Sequence, residues 1–191
     1  MGRKKPLPLL ENTEILDAGS EGKAIARQGE MVVFVPFAVP GDIADIQVVK
    51  KKKKYFEGRV IRFHHLSGKR VEPVCIHFGT CGGCKWQNMD YEHQLHYKQK
   101  QVKDLLDRLG KFPYPGIMPI IPSSEVFSYR NKMEYTFSDR RWYTSPPEKD
   151  KPPRDSRALG FHAPGMFDRV IDIEKCHLQD DYANRIRNLV K

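Results

Sequence analysis

Three of the four cysteines in this chain fall inside one ten-residue stretch, CIHFGTCGGC, at Cys75, Cys81 and Cys84; the fourth, Cys176, stands far downstream. Thiolates are soft ligands that suit zinc or iron–sulfur clusters better than magnesium or calcium. The spacing C-x5-C-x2-C puts three sulfurs on one loop, and Gly79, Gly82 and Gly83 allow that loop to fold tightly around an ion or a cluster. Cys176 is the candidate fourth ligand, with His77, His93 and His96 as substitutes. Structural zinc sites usually pair their ligands as two short knuckles. Here one knuckle is complete and Cys75 stands alone, an irregular three-plus-one pattern closer to a [4Fe–4S] site. Spacing alone leaves cluster and zinc both open.

A second chemistry is cationic. Lys50, Lys51, Lys52, Lys53 and Lys54 form an unbroken run, followed directly by Tyr55 and Phe56. So many like charges on one turn repel each other, and phosphates nearby would relieve that repulsion. Arg59, Arg62 and Phe63, with His64 and His65, continue the interleaving of cations and aromatics. Backbone charge combined with base stacking is how small barrels hold single strands. In YRNKMEYTF, Arg130, Asn131 and Lys132 set two cations and an amide at the entry to an expected strand, where they can meet a phosphate or a base edge. The net charge of +9 points the same way, toward a polyanionic partner. The simpler alternative for the lysine run is a solvated loop that aids solubility.

These groups need a scaffold. Residues 13–63 read as five short strands, within TEILDAG, GKAIARQGE, MVVFVPFAVPGD, IADIQVVK and YFEGRVIRF, separated by turn signals. Ala44, Ile46 and Val48 share one face of the fourth, and Asp45 and Gln47 the other, as in a half-buried strand. Such a series predicts a small closed barrel of the OB type, with an SH3-like barrel as the rival. Downstream, Tyr91, Leu95, Val102, Leu105, Leu106 and Leu109 recur at helical spacing, with Gly110 at the expected C-terminal cap. KMEYTFS, ALGFHA and RVIDI are expected strands. The proline-rich segment over 140–157 is expected to be a mobile, solvated hairpin loop, because paired prolines cannot join a sheet ladder. A final helix, DDYANRIRNLVK, reaches Lys191 without a terminator, so a longer protein is expected. The fold class is mainly β with some α. No stretch approaches the ~18 apolar residues of a membrane span and no signal peptide is evident. A cytoplasmic location is expected, where clustered cysteines more often bind metal than form disulfides.

Five signatures stand in order: VFVPFAVPGDIADIQVVKKKKKYFEGRV, C-x5-CGGC-x-WQ, YRNKMEYTFS, LGFH and VIDIEKC. Together they resemble the RNA uracil-5-methyltransferases, in the bacterial branch that modifies 23S ribosomal RNA. The resemblance implies an N-terminal TRAM domain, an OB-like RNA-binding barrel, over 1–70. It implies a central iron–sulfur domain over 71–89 and 120–191, and a helical excursion over 90–119 that packs on a catalytic domain. By motif position, Cys75, Cys81, Cys84 and Cys176 correspond to the four cluster ligands. Family members also carry a Rossmann-like domain that binds S-adenosylmethionine and supplies the catalytic cysteine and base; no glycine-rich strand–turn–helix of that kind occurs here. The expectation is therefore an inactive, monomeric N-terminal portion that binds RNA, most simply 23S ribosomal RNA, but not S-adenosylmethionine. A stand-alone zinc-stabilised RNA-binding module is the alternative.

Overall fold

The computed structural model describes residues 6–146 and 154–191. The basic start of the chain and the centre of the proline-rich loop, at 147–153, lie outside the described residues, and with them the expectation of a mobile loop.

All five expected strands form. β1 (Leu9–Ala18), β2 (Lys23–Gln28), β3 (Met31–Pro36), β4 (Ile43–Lys51) and β5 (Tyr55–His65) close into a barrel in the order β1-β2-β3-β5-β4. The β3–β5 pair is parallel and the others are antiparallel. Alternation drives the closure: Ala44, Ile46 and Val48 of β4 are buried with Ile15, Ala26, Val33 and Val35. Gly58 sits where β5 crosses Ile46, and a Cβ there would run into the Ile46 methyl group. The closed order β1-β2-β3-β5-β4, with its parallel β3–β5 pair, is OB-like and sets the SH3-like rival aside.

Helix α1 (Tyr91–Leu105) opens on Asp90, whose carboxylate accepts the Glu92 N–H at 3.1 Å. The barrel and Lys85–Pro122 form one compact unit; Pro73–Cys84 and Ser123–Lys191 form the other. The helix thus stays with the barrel instead of standing apart over 90–119, for a specific reason. Tyr97 packs in a cluster with Ala18, Val39 and Met89, and Lys100 reaches Asp17 at 2.6 Å. Gln101 donates to the Gly19 carbonyl at 3.0 Å. Meanwhile Val102, Leu105 and Leu109, residues of the apolar stripe read from the sequence, are exposed. The termination also shifts. Leu106–Gly110 widen into a π turn, the Lys111 N–H reaches the Leu106 carbonyl at 3.1 Å, and Lys111, not Gly110, takes the left-handed conformation.

In the second unit, β6 (Thr136–Ser138), β7 (Ala158–His162) and β8 (Val170–Asp172) make an antiparallel sheet in the order β6-β7-β8. β6 is shorter than KMEYTFS suggests, because the backbone before it is already engaged: Ser128 and Arg130 donate to the carbonyls of His177 and Leu178. Helix α2 (Asp181–Val190) is capped by Asp180, which accepts the Ala183 N–H at 2.7 Å. No helix among the described residues is long and apolar enough to cross a membrane.

Candidate functional site

The cysteine loop is built from consecutive turns. Phe78 N–H donates to the Cys75 carbonyl at 2.9 Å, and the N–H groups of Thr80 and Cys81 both converge on the His77 carbonyl. Gly79 and Gly82 hold φ values of 80° and 73°, the left-handed region where a side chain is disfavoured. At Gly82 a Cβ would also press on the Pro164 ring. The sequence expectation that glycines permit this curl holds at these two positions.

Cys176 arrives from the other end of the unit. β8 delivers the chain to Glu174, whose N–H donates to His77 Nε2 at 3.1 Å, clipping the approach to Cys176 onto the cysteine loop. His77 is partly buried, and that burial lowers its pKa and favours the neutral ring this bond requires. With Nε2 already accepting, His77 acts as a clip, not as the substitute ligand considered above. His93 and His96 belong to α1 in the barrel unit. Cys176 is buried in a cluster with Ala163, Ile171 and Ile173, against which Cys81 also packs. The Cys75 thiol is pushed up chiefly by burial, and further by the neighbouring Cys81 and Cys176 sulfurs. Cys75, Cys81 and Cys176 therefore share one local field, with Cys84 closing the same loop. Among the described residues, no three His, Cys, Asp or Glu side chains are placed as ligands of a single ion.

Around Cys176 stand groups with no signature in the sequence. Asn184 accepts the Cys176 N–H at 2.8 Å and donates to the Cys176 carbonyl at 3.0 Å. The Tyr135 hydroxyl donates to Gln179, and burial, with the nearby Cys176 sulfur, raises its pKa strongly. Arg187, buried, has its guanidinium 5.1 Å from the Tyr135 ring centroid.

The cationic residues divide between the two units. Lys50–Lys54 are exposed at the β4–β5 turn, closed by Lys52 N–H to the Tyr55 carbonyl at 2.9 Å. Lys50 meets Glu57 at 3.4 Å, and Lys51 lies 5.5 Å from the Phe56 ring centroid. Arg59 and Arg62 follow along β5, exposed, opposite Gln47 and Asp45. Phe63 is partly covered: the Arg70 guanidinium stacks on it at 4.6 Å and is itself held by the fully buried Asp42 at 2.7 Å. Arg130, Asn131 and Lys132 are exposed in the cysteine unit, in irregular backbone ahead of β6, with Lys132 near Glu134 at 3.1 Å.

Residues 13–61 match the TRAM domain family. An uncharacterized RNA methyltransferase of Bacteroides thetaiotaomicron is 52% identical over 173 residues, covering 90% of this chain and 38% of the relative. One from Porphyromonas gingivalis is 46% identical over 184 residues, covering 93% of this chain and 39% of its own length. The chain is similar to one portion of these proteins named RNA methyltransferases. It spans under two-fifths of the length of these relatives. The tRNA (uracil-54, C5)-methyltransferase of Pyrococcus abyssi, solved with S-adenosyl-L-homocysteine, shares the fold at a TM-score of 0.56 and 20% identity, over 93% of this chain and 35% of that one. The relatives' names agree with the RNA-methyltransferase part of the resemblance drawn from the sequence motifs, and the structural neighbour agrees with its fold.

Proposed function

We propose that this chain is the RNA-gripping and [4Fe–4S]-holding N-terminal part of an S-adenosylmethionine-dependent methyltransferase that forms 5-methyluridine in 23S ribosomal RNA. The observation that carries the metal half is the convergence of a thiol loop and a distant buried cysteine in one unit, with a buried arginine beside them. Four thiolates form a soft, strongly negative donor set, and a cation nearby fits it. When bound, the cluster supplies a cross-link between loop 75–84 and the segment following β8. Cys75, Cys81, Cys84 and Cys176 would hold it, while His77 and Asn184 orient the backbone on either side of Cys176.

The RNA half rests on the TRAM barrel with its lysine-tipped β4–β5 ribbon. Within the barrel unit Arg59 and Arg62 extend the positive surface and Phe63 is the candidate for base contact; within the cysteine unit Arg130 and Lys132 are candidates for phosphate contact and Asn131 for base contact. C5 of a stacked uridine is reached only once the base is extruded, so this part of the enzyme would hold the flanking RNA. Methyl transfer belongs to the rest of the longer protein. The names of the relatives and the S-adenosylhomocysteine in the structural neighbour support that division.

Anaerobic purification should give about four iron and four acid-labile sulfide per chain, the content of one [4Fe–4S] centre. One tight zinc without sulfide would replace the cluster reading by the zinc-stabilised RNA-binding module. The longer gene product should label unmodified 23S ribosomal RNA from S-adenosylmethionine bearing a radioactive methyl group. Labelling of transfer RNA alone would overturn the ribosomal substrate.

A further inference from the structure

Helix α2 buries the residues that an amphipathic helix normally leaves outside. Its buried residues are Asn184 and Arg187, while Tyr182, Ile186, Leu189 and Val190 are exposed. Apolar burial therefore does not explain its orientation. Polar groups on its inner face do. Asn184 binds both backbone groups of Cys176, N–H and carbonyl, and donates again to the Asp180 carbonyl at 2.9 Å. Arg187, at 6% exposure, donates to the carbonyls of Ile173 and Glu174, on the segment leading into Cys176, and to Asn184 Oδ1 at 3.3 Å.

All these hydrogen-bond partners of Arg187 are neutral. Its Nε has none, one of two such buried side-chain atoms among the described residues. A guanidinium desolvated against neutral oxygens is unfavourable unless an anion faces it. The neighbouring groups show where that anion would be. Arg187 stacks on Tyr135, and Tyr135 packs against the cluster that contains Cys176, as Cys81 does.

We propose that α2 is the outer shell of the cysteine centre, with Asn184 setting the position of the Cys176 sulfur and Arg187, stacked on Tyr135, offsetting the negative charge of the thiolate-bound group. The inference rests on the proposed metal centre and assigns it two positioning residues, neither of them a ligand. Outer-shell groups of this kind orient ligands and tune the electronic properties of the centre.

The test uses the chain loaded anaerobically, with three variants, Arg187→Gln, Arg187→Lys and Asn184→Ala. Two properties are read: the reduction potential of the centre, and the rate at which a chelator strips its metal. Arg187→Gln should lower the potential, since a compensating positive charge is lost, and Arg187→Lys should restore most of the shift. Asn184→Ala should release metal roughly tenfold faster, in line with other outer-shell losses, and in the metal-free chain it should speed alkylation of Cys176. If Arg187→Gln loads fully and keeps the wild-type potential, Arg187 is only a structural cap and the charge role is overturned. Should Arg187→Gln not load at all, loading of Arg187→Lys at a near-wild-type potential supports the charge role, and its failure to load overturns it. Unchanged metal release and Cys176 reactivity in Asn184→Ala would overturn the positioning role. A wild-type chain that binds neither iron–sulfur cluster nor zinc overturns the metal reading itself, an outcome separate from these.

Discussion

The two units solve the folding problem differently. The barrel buries a continuous apolar interior, Ile15, Val33, Val35, Ile46 and Val48 among its members, and its buried carboxylate, Asp42, is fully paired by Arg70 and the Val39 and Ser67 N–H groups. The cysteine unit has three short strands, a small cluster containing a cysteine, and a buried arginine with an unsatisfied nitrogen. The first is stabilised by area removed from water. The second has a smaller buried apolar cluster, and its buried Asn184 binds the backbone of Cys176. On the proposed metal reading, such a unit takes stability from whatever the thiols bind.

The sharpest way to break this contrast is to remove the metal. Stripping it, or making Cys176→Ser, should abolish protection of the amides in Ala158–Asp172 while those of β1–β5 exchange as before. Hydrogen exchange followed by mass spectrometry reads both units in one sample, and equal loss across the two would sink the idea that the barrel stands alone. A barrel-core change should do the reverse: Ile46→Ala removes a fully buried side chain and should cost about 2–5 kcal/mol. Thermal melting should show that loss, with metal content per folded chain unchanged.

A third change asks whether the small sheet matters to the cysteines. At Gly160, on β7, a Cβ would run into the Ile171 carbonyl and crowd Ile173. Gly160→Ala should destabilise the cysteine unit by roughly 1–3 kcal/mol, the range for overpacking, and weaken metal retention through the displaced β8 segment. Retention equal to wild type would show that Cys176 is positioned without the sheet. The smallest effect is expected from the lysine tip. Changing Lys52, Lys53 and Lys54 to glutamine should leave both units folded and reduce the slope of log affinity for RNA against log salt by about 2, at roughly 0.7 per phosphate contact on a single strand. An unchanged slope in a fluorescence titration would return those lysines to the role of a solvated loop.

The same contrast governs how much was legible in advance. β1 to β5 could be read because their interior side chains alternate with polar neighbours, and alternation reports directly which face is buried. The cysteine loop was legible in the glycines that let it turn, Gly79 and Gly82. Both helices were legible as helices, but the residues that each turns inward were not. Val102, Leu105 and Leu109 carry the apolar stripe of α1, and Ile186 and Leu189 are apolar positions of α2, yet all are exposed. The inward groups are Tyr97, Lys100 and Gln101 on one helix, Asn184 and Arg187 on the other. Periodicity assumes that apolar burial orients a helix; here individual hydrogen bonds and an ion pair do.

What the sequence by itself determined is therefore local: strand alternation, the turn residues, the four soft donors and the lysine run. Tertiary structure alone decided that His77 clips Glu174, that Arg70 covers Phe63, and that Asn184 and Arg187 turn toward Cys176. The physical reason is range. Side-chain pattern encodes which residues avoid water, whereas the partner of a buried polar group is chosen by how distant segments close on one another, and neither residue's type or spacing carries that information.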